Sequence, residues 1–275
     1  MPVLLGALAS GLIGVSDYFG RYCSRRAHAM TTVGTAFVGG LGVSLILVLV
    51  VPSAITAADL LLGAASGVLI AIALSCMWHS LAVSSSAIAS PIVAAFTALG
   101  PLIYGIATGE RPTTAAAIGI AVAVAGLPLA VIVPQTVENV GAGIAYAILG
   151  GLAFTALIVL LDRTSVDSGM WPAVTQRAAA LAAMLVVTRA SRIPQILPRS
   201  LRLAALAGGI AGGLGMASFI AGVQRGPVGE VSVAGSLYPV VTIALAVILD
   251  DDTLRWWQAA GIAAVLAGTT LITIG

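Results

Sequence analysis

Long apolar runs dominate the chain, and short polar breaks divide them. A bilayer core about 30 Å thick needs roughly 20 apolar residues per helix, and most of these runs approach that length. Reading the runs between arginine, proline and acidic clusters predicts ten helices. They fall near residues 2–20, 31–51, 60–82, 86–108, 113–133, 141–161, 172–188, 203–223, 228–249 and 255–274.

The chain also repeats itself at an offset of 142 residues. This shift places Gly119–Gly126 over Gly261–Gly268 with five identities in eight positions. It also aligns polar residues, which chance similarity between alanine-rich helices does not explain: Glu110 with Asp252, Arg21 with Arg163 and Ser90 with Ser232. A fixed period of this kind predicts two structural repeats, residues 1–134 and 135–275.

Each repeat contains five predicted helices. Because five is odd, the two copies must enter the membrane from opposite sides. The predicted fold is therefore an all-α integral membrane protein with ten transmembrane helices in two inverted five-helix repeats. Inverted repeats are typical of secondary transporters, in which two similar bundles move about a shared site near the middle of the membrane.

Composition supports a membrane location and narrows the function. The chain of 275 residues is 60% hydrophobic and 8% charged, against roughly 25% charged in soluble domains. All twelve basic residues are arginine and the net charge is +2, so no nucleic-acid surface is expected. The two cysteines, Cys23 and Cys76, read as free thiols with no metal-ligand spacing. A Gly-Lys-Ser/Thr phosphate loop is absent, and we expect no cofactor.

Several short motifs, in this order, resemble the EamA-like drug/metabolite transporter superfamily. They are Gly14–Gly20, the run from Ala89 to Pro112 followed by Gly119 and Gly126, and Ser236–Pro239 leading to Asp252, Gln258, Gly261 and Gly268. The resemblance implies a ten-helix transporter of small metabolites, often an exporter, in the cytoplasmic membrane. One departure is Asp250–Asp252, where the family usually has a single glutamate.

The internal repeat also sorts the polar residues. Matched positions such as Glu110 and Asp252 read as framework, whereas an ionisable residue present in one copy has no such explanation. Four residues are of the second kind: Asp17 aligns with Val159, His79 with Ala221, Arg177 with Thr35 and Glu230 with Ile88. A charge at the bilayer centre costs about 2.5–3.5 kcal/mol on insertion scales and usually marks a pathway. These four are the predicted site residues.

Aromatic residues extend the predicted pathway. Tyr18 follows Asp17, and Trp78 precedes His79. Tyr238 lies ten residues into the ninth predicted helix and precedes Pro239, which interrupts the helical hydrogen bonds. Phe96 aligns with Tyr238, so the repeat predicts an aromatic pair near the middle of the membrane.

Two questions stay open at this point. Arg177 either extends to the membrane surface, as a long side chain can, or points inward to pair with Glu230 or hold a substrate carboxylate. Eight span-flanking arginines lie at the odd-numbered connections and three at the others, which places both termini outside. The family resemblance implies that both termini lie inside.

The predicted function is a secondary transporter, an exporter or facilitator of a small metabolite, and not an enzyme. Proton coupling runs through Asp17, His79 or Glu230, or is absent. Two alternatives are an intramembrane lipid or isoprenoid enzyme, for which Asp250–Asp252 lacks the second aspartate group that paired magnesium needs, and a non-transporting scaffold. The expected partners are a small solute and membrane lipid, with the chain a monomer or homodimer.

Overall fold

The structure is a computed structural model that describes residues 1–83, 86–131, 140–249 and 255–274. Within these ranges the regular structure is helical and contains no strand. A short 3-10 turn covers Val166–Ser168. The α-helices are α1 (Pro2–Ser24), α2 (Ala29–Val50), α3 (Ala57–Val83), α4 (Ser86–Ala107), α5 (Thr114–Val131), α6 (Val140–Asp162), α7 (Trp171–Ala190), α8 (Arg199–Val223), α9 (Val228–Gly235), α10 (Tyr238–Leu249) and α11 (Trp256–Ile274).

Local capping sets the beginnings of α2 and α3. Nδ1 of His28 accepts a 3.3 Å hydrogen bond from the amide of Met30, so α2 begins just after this histidine. The hydroxyl of Thr56 accepts a 3.1 Å bond from the amide of Asp59 and donates a 2.5 Å bond to its carboxylate. Such caps satisfy amides that have no partner within the helix. The apolar pattern alone placed both helix starts two or three residues too late.

The ninth predicted helix is not continuous. Residues 228–249 form α9 and α10, with a break at Ser236 and Leu237. Pro239 has no amide hydrogen, and its ring clashes with the carbonyl four residues earlier, which belongs to Gly235. The helix ends at that glycine, so the ninth predicted segment consists of two shorter helices, with the interruption that Pro239 predicts.

Among the described residues, five helices are long and apolar enough to cross a membrane. They are Pro2–Ser24, Ala29–Val50, Ala57–Met77, Gly141–Asp162 and Arg199–Val223. Shorter apolar helices cover Ile92–Ala107, Thr114–Gly126 and Trp256–Ile272. Large apolar side chains such as Leu49 and Leu203 are more than four-fifths exposed, as expected where lipid is the solvent. The chain is a multi-pass helical membrane protein.

Helices of the two halves pack against one another in corresponding pairs. In one pair α1 lies on α8, and in its counterpart α6 lies on α3. In the same way α2 lies on α8, and α7 lies on α3. The last helices of the halves, α5 and α11, pack together. The halves are thus interlocked rather than placed side by side.

Glycines bring α5 and α11 into close contact. A Cβ on Gly119 would lie 2.5 Å from the carbonyl oxygen of Gly268, and a Cβ on Gly268 would lie 2.5 Å from that of Gly119. A Cβ on Gly126 would lie 2.8 Å from the carbonyl oxygen of Gly261. The 142-residue shift converts the Gly119–Gly268 contact into the Gly261–Gly126 contact.

The glycine-rich side of α8 packs closely on two neighbours. A Cβ on Gly208 would lie 2.9 Å from that of Phe19 in α1. A Cβ on Gly209 would collide with the carbonyl oxygen of Ala36 in α2. Small residues let membrane helices approach in this way, and the same approach brings α1, α2 and α8 around an internal space.

Candidate functional site

A cavity of about 160 Å³ lies inside the bundle, between helices of both halves. Most of its lining is aliphatic and aromatic. On α1 the lining residues run from Ile13 to Gly20, and on α2 from Thr32 to Phe37. The cavity therefore extends from the middle of these helices towards the α1–α2 connection. Its polar contributors are few: Ser16, Asp17, Thr32, Thr97, Arg177, Ser232, Ser236 and Tyr238.

Arg177 reaches this cavity from α7 and is 7% exposed. Its Nη2 donates a 2.8 Å hydrogen bond to the carbonyl oxygen of Gly212. Its guanidinium carbon lies 5.5 Å from the centre of the Phe37 ring. Gly40 leaves room for the side chain, since a Cβ there would lie 3.3 Å from Nε of Arg177. Arg177 therefore points into the bundle and not to the membrane surface.

Asp17 lies on the α1 wall of the same cavity. The hydroxyl of Thr242 donates a 3.2 Å bond to the carbonyl oxygen of Gly14, which holds this part of α1 against α10. Asp17 interacts electrostatically with Tyr238, at the first residue of α10. Its carboxylate makes no hydrogen bond or salt bridge to the residues that the structure describes. Among the described residues, the cavity lining thus includes one acidic and one basic side chain.

Two serines next to the α9–α10 break also line the cavity, and the sequence did not single them out. Ser232 is 1% exposed, and its Oγ has no hydrogen-bond partner among the described residues. Ser236 donates a 2.8 Å bond to the carbonyl oxygen of Val233. Ser232 aligns with Ser90, so the repeat comparison assigned it to the framework. The sequence feature that could have identified it as a cavity residue is its spacing of four from Ser236, just before Pro239.

Three further predicted site residues, Tyr18, Phe96 and Glu230, are not part of the cavity lining. Tyr18 is buried in contact with Phe19, with ring centres 5.8 Å apart. Phe96 packs on α6, where Thr155 donates a 2.9 Å bond to its carbonyl oxygen. Glu230 is half-buried near Glu110. Trp78 and His79 belong to α3, but their side chains lie outside the described part of the structure.

Two predicted contacts are therefore not formed. No salt bridge joins Arg177 to Glu230 among the described residues, because Arg177 donates to Gly212 instead. Phe96 and Tyr238 make no ring contact within the described ranges, because Phe96 lies against Gly151 while Tyr238 faces the cavity. Alignment of two positions in a repeat does not bring their side chains together.

Glu110, which the repeat comparison assigned to the framework, joins the two halves. Its carboxylate accepts a 2.5 Å hydrogen bond from the amide of Val228 and a 3.1 Å bond from that of Gly229. These amides begin α9, where a negative charge also complements the helix dipole. Gly105 provides the space, since a Cβ there would collide with the Glu110 carboxylate. Asp252, aligned with Glu110, lies outside the described residues, as does the rest of Asp250–Asp252.

The second half of the chain has a recognisable family. Residues 141–274 match the EamA-like transporter family. The second half of the chain is thus similar to EamA-like transporters. The match covers the second of the two predicted repeats and agrees with the drug/metabolite transporter resemblance of the motifs.

The fold of the whole chain has a close structural counterpart. One solved structure, described only as the crystal structure of a protein, superposes with a TM-score of 0.81. The superposition covers 99% of this chain and 96% of the other, at 18% sequence identity. At that identity the likeness establishes the fold alone. No curated protein matches the chain.

The internal cavity is consistent with a membrane transporter of the drug/metabolite type. The family that matches residues 141–274 is a transporter family. In the described ranges no three His, Cys, Asp or Glu side chains gather as metal ligands.

Proposed function

We propose that this EamA-like protein is a secondary transporter that moves a small metabolite across the cytoplasmic membrane by alternating access. The single observation that carries the proposal is the cavity, which helices of both halves enclose and which contains Arg177 and Asp17. Intramembrane charges usually face a pathway because they are costly in lipid. Secondary transporters place their solute sites at the interface of their repeats, near the middle of the membrane.

The corresponding helix pairs support an arrangement of two inverted five-helix repeats, residues 1–134 and 135–275. Contacts of α1 with α8 and of α6 with α3 exchange under the repeat relation. So do the glycine contacts between α5 and α11. In such an arrangement one half can take the conformation of the other, which exposes the shared cavity to the opposite side of the membrane.

The break between α9 and α10 suits a solute site. Ser236 and Leu237 separate the two helices beside the cavity. Irregular backbone at membrane depth is tolerated where it is buried in protein or lines a cavity. Broken helices also present free backbone groups to solutes in many transporters. The half-helices α9 and α10 are therefore proposed as part of the pathway.

Filling the cavity tests the proposal. Met216 on α8 lines it and is 9% exposed, so Met216→Trp should obstruct a solute with little change to the outer surface. The purified protein is reconstituted in liposomes loaded with a cell metabolite extract, and the released metabolites are identified by mass spectrometry. We expect specific release with the native protein and at least a tenfold lower rate with Met216→Trp.

Leu203→Trp is the matched control, because Leu203 is on the same helix but 81% exposed to lipid. It should release solute at the native rate. Both variants are compared only if they elute and unfold like the native protein. Undiminished release by Met216→Trp would place the pathway elsewhere, and no release by native protein with any metabolite would favour a non-transporting scaffold.

A further inference from the structure

We propose that a groove on the outside of the bundle binds an anionic phospholipid, with an acyl chain in the groove and the phosphate at a rim of arginines. The groove has a volume of about 270 Å³ and shares no lining residue with the internal cavity. One face of α2 lines the cavity, and the opposite face forms the floor of this outer groove. Its apolar lining includes Met30, Gly34 and Val38 of α2, Leu181 and Leu185 of α7, and Leu206 of α8.

The outer groove suits an acyl chain. Met30, Gly34 and Val38 follow at intervals of four and so form one row along α2. At 1.5 Å per residue the row is about 12 Å long, most of the roughly 15 Å that one leaflet contributes to the bilayer core. Val38 and Leu185 are exposed, so the groove opens to lipid. Gly34 deepens it, since nothing lies within 4 Å of a Cβ added there.

The connection between α7 and α8 forms one end of the outer groove. The hydroxyl of Thr31 donates a hydrogen bond to the carbonyl oxygen of Pro194, which ties this connection to the beginning of α2. Ile196 lines the groove at this end and is exposed. Arg202 also lines it, and its Nε donates a 2.8 Å bond to the carbonyl oxygen of Leu197. The apolar groove therefore ends in positive charge.

Four exposed arginines surround this end of the groove without an acidic counterpart. Helices α2, α7 and α8, which form the groove, contain no aspartate or glutamate. In the part of the chain that the structure describes, none of the four arginines makes a salt bridge. Basic pockets between transmembrane helices bind the anionic headgroups of phospholipids, so charge complementarity selects the occupant. This arginine rim consists of Arg189, Arg192, Arg199 and Arg202.

The rim continues both walls of the groove. On α7, Arg189 lies four residues beyond the groove residue Leu185, and on α8, Arg202 lies four residues before Leu206. Residues four apart are neighbours on one side of a helix. A lipid whose chain lies between the two leucines therefore has its phosphate between two arginines.

The helices themselves do not favour these arginines. Arg199 and Arg202 begin α8, where a positive charge opposes the helix dipole, and the first turn contains no acidic residue. Arg192 has a φ of 55°, in the left-handed region that usually takes glycine at the end of a helix. Backbone strain of this kind clusters at functional sites. A bound anionic headgroup would offset the repulsion and give these positions a role.

Two lipids with the same acyl chains test the inference. Dioleoyl phosphatidylglycerol has a negative headgroup and dioleoyl phosphatidylcholine has no net charge, so a difference in affinity reports the headgroup. Each lipid is titrated onto the purified full-length protein in detergent micelles, and bound lipids are counted by native mass spectrometry. We expect one phosphatidylglycerol to bind roughly tenfold more tightly than phosphatidylcholine, since each nearby arginine contributes on the order of fivefold.

Variants of the rim test the charge. Arg189→Gln combined with Arg202→Gln should weaken phosphatidylglycerol binding roughly tenfold and leave phosphatidylcholine binding unchanged. Arg202→Lys keeps the charge but cannot reproduce the bond from Nε, and it should bind phosphatidylglycerol like the native protein. The matched control is Arg111→Gln combined with Arg225→Gln, which removes two exposed arginines away from the groove and should change neither affinity.

Filling the groove tests its location. Gly34→Leu places a side chain in the open groove, and Gly42→Leu adds the same side chain to the same helix outside it, where a Cβ also meets nothing within 4 Å. We expect Gly34→Leu to weaken phosphatidylglycerol binding roughly tenfold, the equivalent of about two methylene groups no longer buried. Gly42→Leu should bind like the native protein.

Three results would overturn the inference: equal affinities for the two lipids, a native preference in the double variant of the rim, or native phosphatidylglycerol binding by Gly34→Leu. If Gly34→Leu kept its lipid but lost a dimer from the native mass spectrum, the groove would instead hold a second copy of the chain. None of these results bears on the transport proposal, which is tested by release of solute through the internal cavity.

Discussion

Glu110 shows how one side chain can join two halves of a protein. It follows α4 in the first half. Its carboxylate nevertheless accepts hydrogen bonds from the amides of Val228 and Gly229, at the beginning of α9 in the second half. Hydrogen bonds to a charged group are stronger than neutral ones. They matter here because α9 has only eight residues and cannot form a stable helix alone.

Removing this cap should destabilise the protein. Glu110→Ala leaves two partly buried amides without an acceptor, and we expect a loss of roughly 1–3 kcal/mol in the free energy of unfolding. Glu110→Gln should lose less, because its single carbonyl oxygen still accepts one amide. Arg111→Ala, at the exposed neighbour, is the control. Thermal unfolding in nanodiscs measures the effect, and equal stability of Glu110→Ala and Arg111→Ala would show that the cap contributes nothing.

At the level of single residues, the sequence identified the charged side chains of the cavity better than it identified which side chains touch. Comparison of the repeats selected Arg177 and Asp17 because both break the pattern, and both line the cavity. It also selected Glu230, which lies near Glu110 instead. It passed over Ser232, because a matched serine looks like framework. The comparison detects asymmetry in composition, but the direction of a side chain depends on packing between distant helices.

At the level of helices, the close approach of α8 to α2 depends on the absence of one methyl group. A Cβ on Gly209 would collide with the backbone of Ala36, which cannot move without shifting α2. We expect Gly209→Ala to cost about 1–3 kcal/mol, as overpacking does. Gly42→Ala is the matched control, because nothing lies within 4 Å of its added Cβ. Unfolding measurements on both variants should separate them, and a native stability for Gly209→Ala would contradict the packing described.

Helix boundaries divide into those with local causes and those without. The break before α10 follows from Pro239, and the start of α3 from the pair Thr56 and Asp59, so both causes are visible in the sequence. The pairing of α1 with α8 is not, because it joins residues far apart in the chain through glycines whose neighbours are unknown from sequence. Hydropathy predicted that these helices exist, and only the structure shows which of them touch.

At the level of the whole molecule, the interlocked halves should not fold independently. We expect residues 1–134, expressed alone with a tag, to be degraded or to aggregate, because α1 and α3 lack their partners α8 and α6. Co-expression with residues 135–275 should rescue both as a complex. Copurification and size-exclusion chromatography measure this outcome. A first half that purifies as a stable monomer would show that the contacts between halves are dispensable.

The pairing of α1 with α8 has a consequence for biosynthesis. The first helix ends at Ser24 and its main partner begins at Arg199. At roughly 5–20 residues per second, α1 waits on the order of ten seconds or more in the membrane before that partner leaves the ribosome. During this interval its packing face meets lipid or the insertion machinery. The cell must therefore hold an unfinished first half until the second half arrives to cover it.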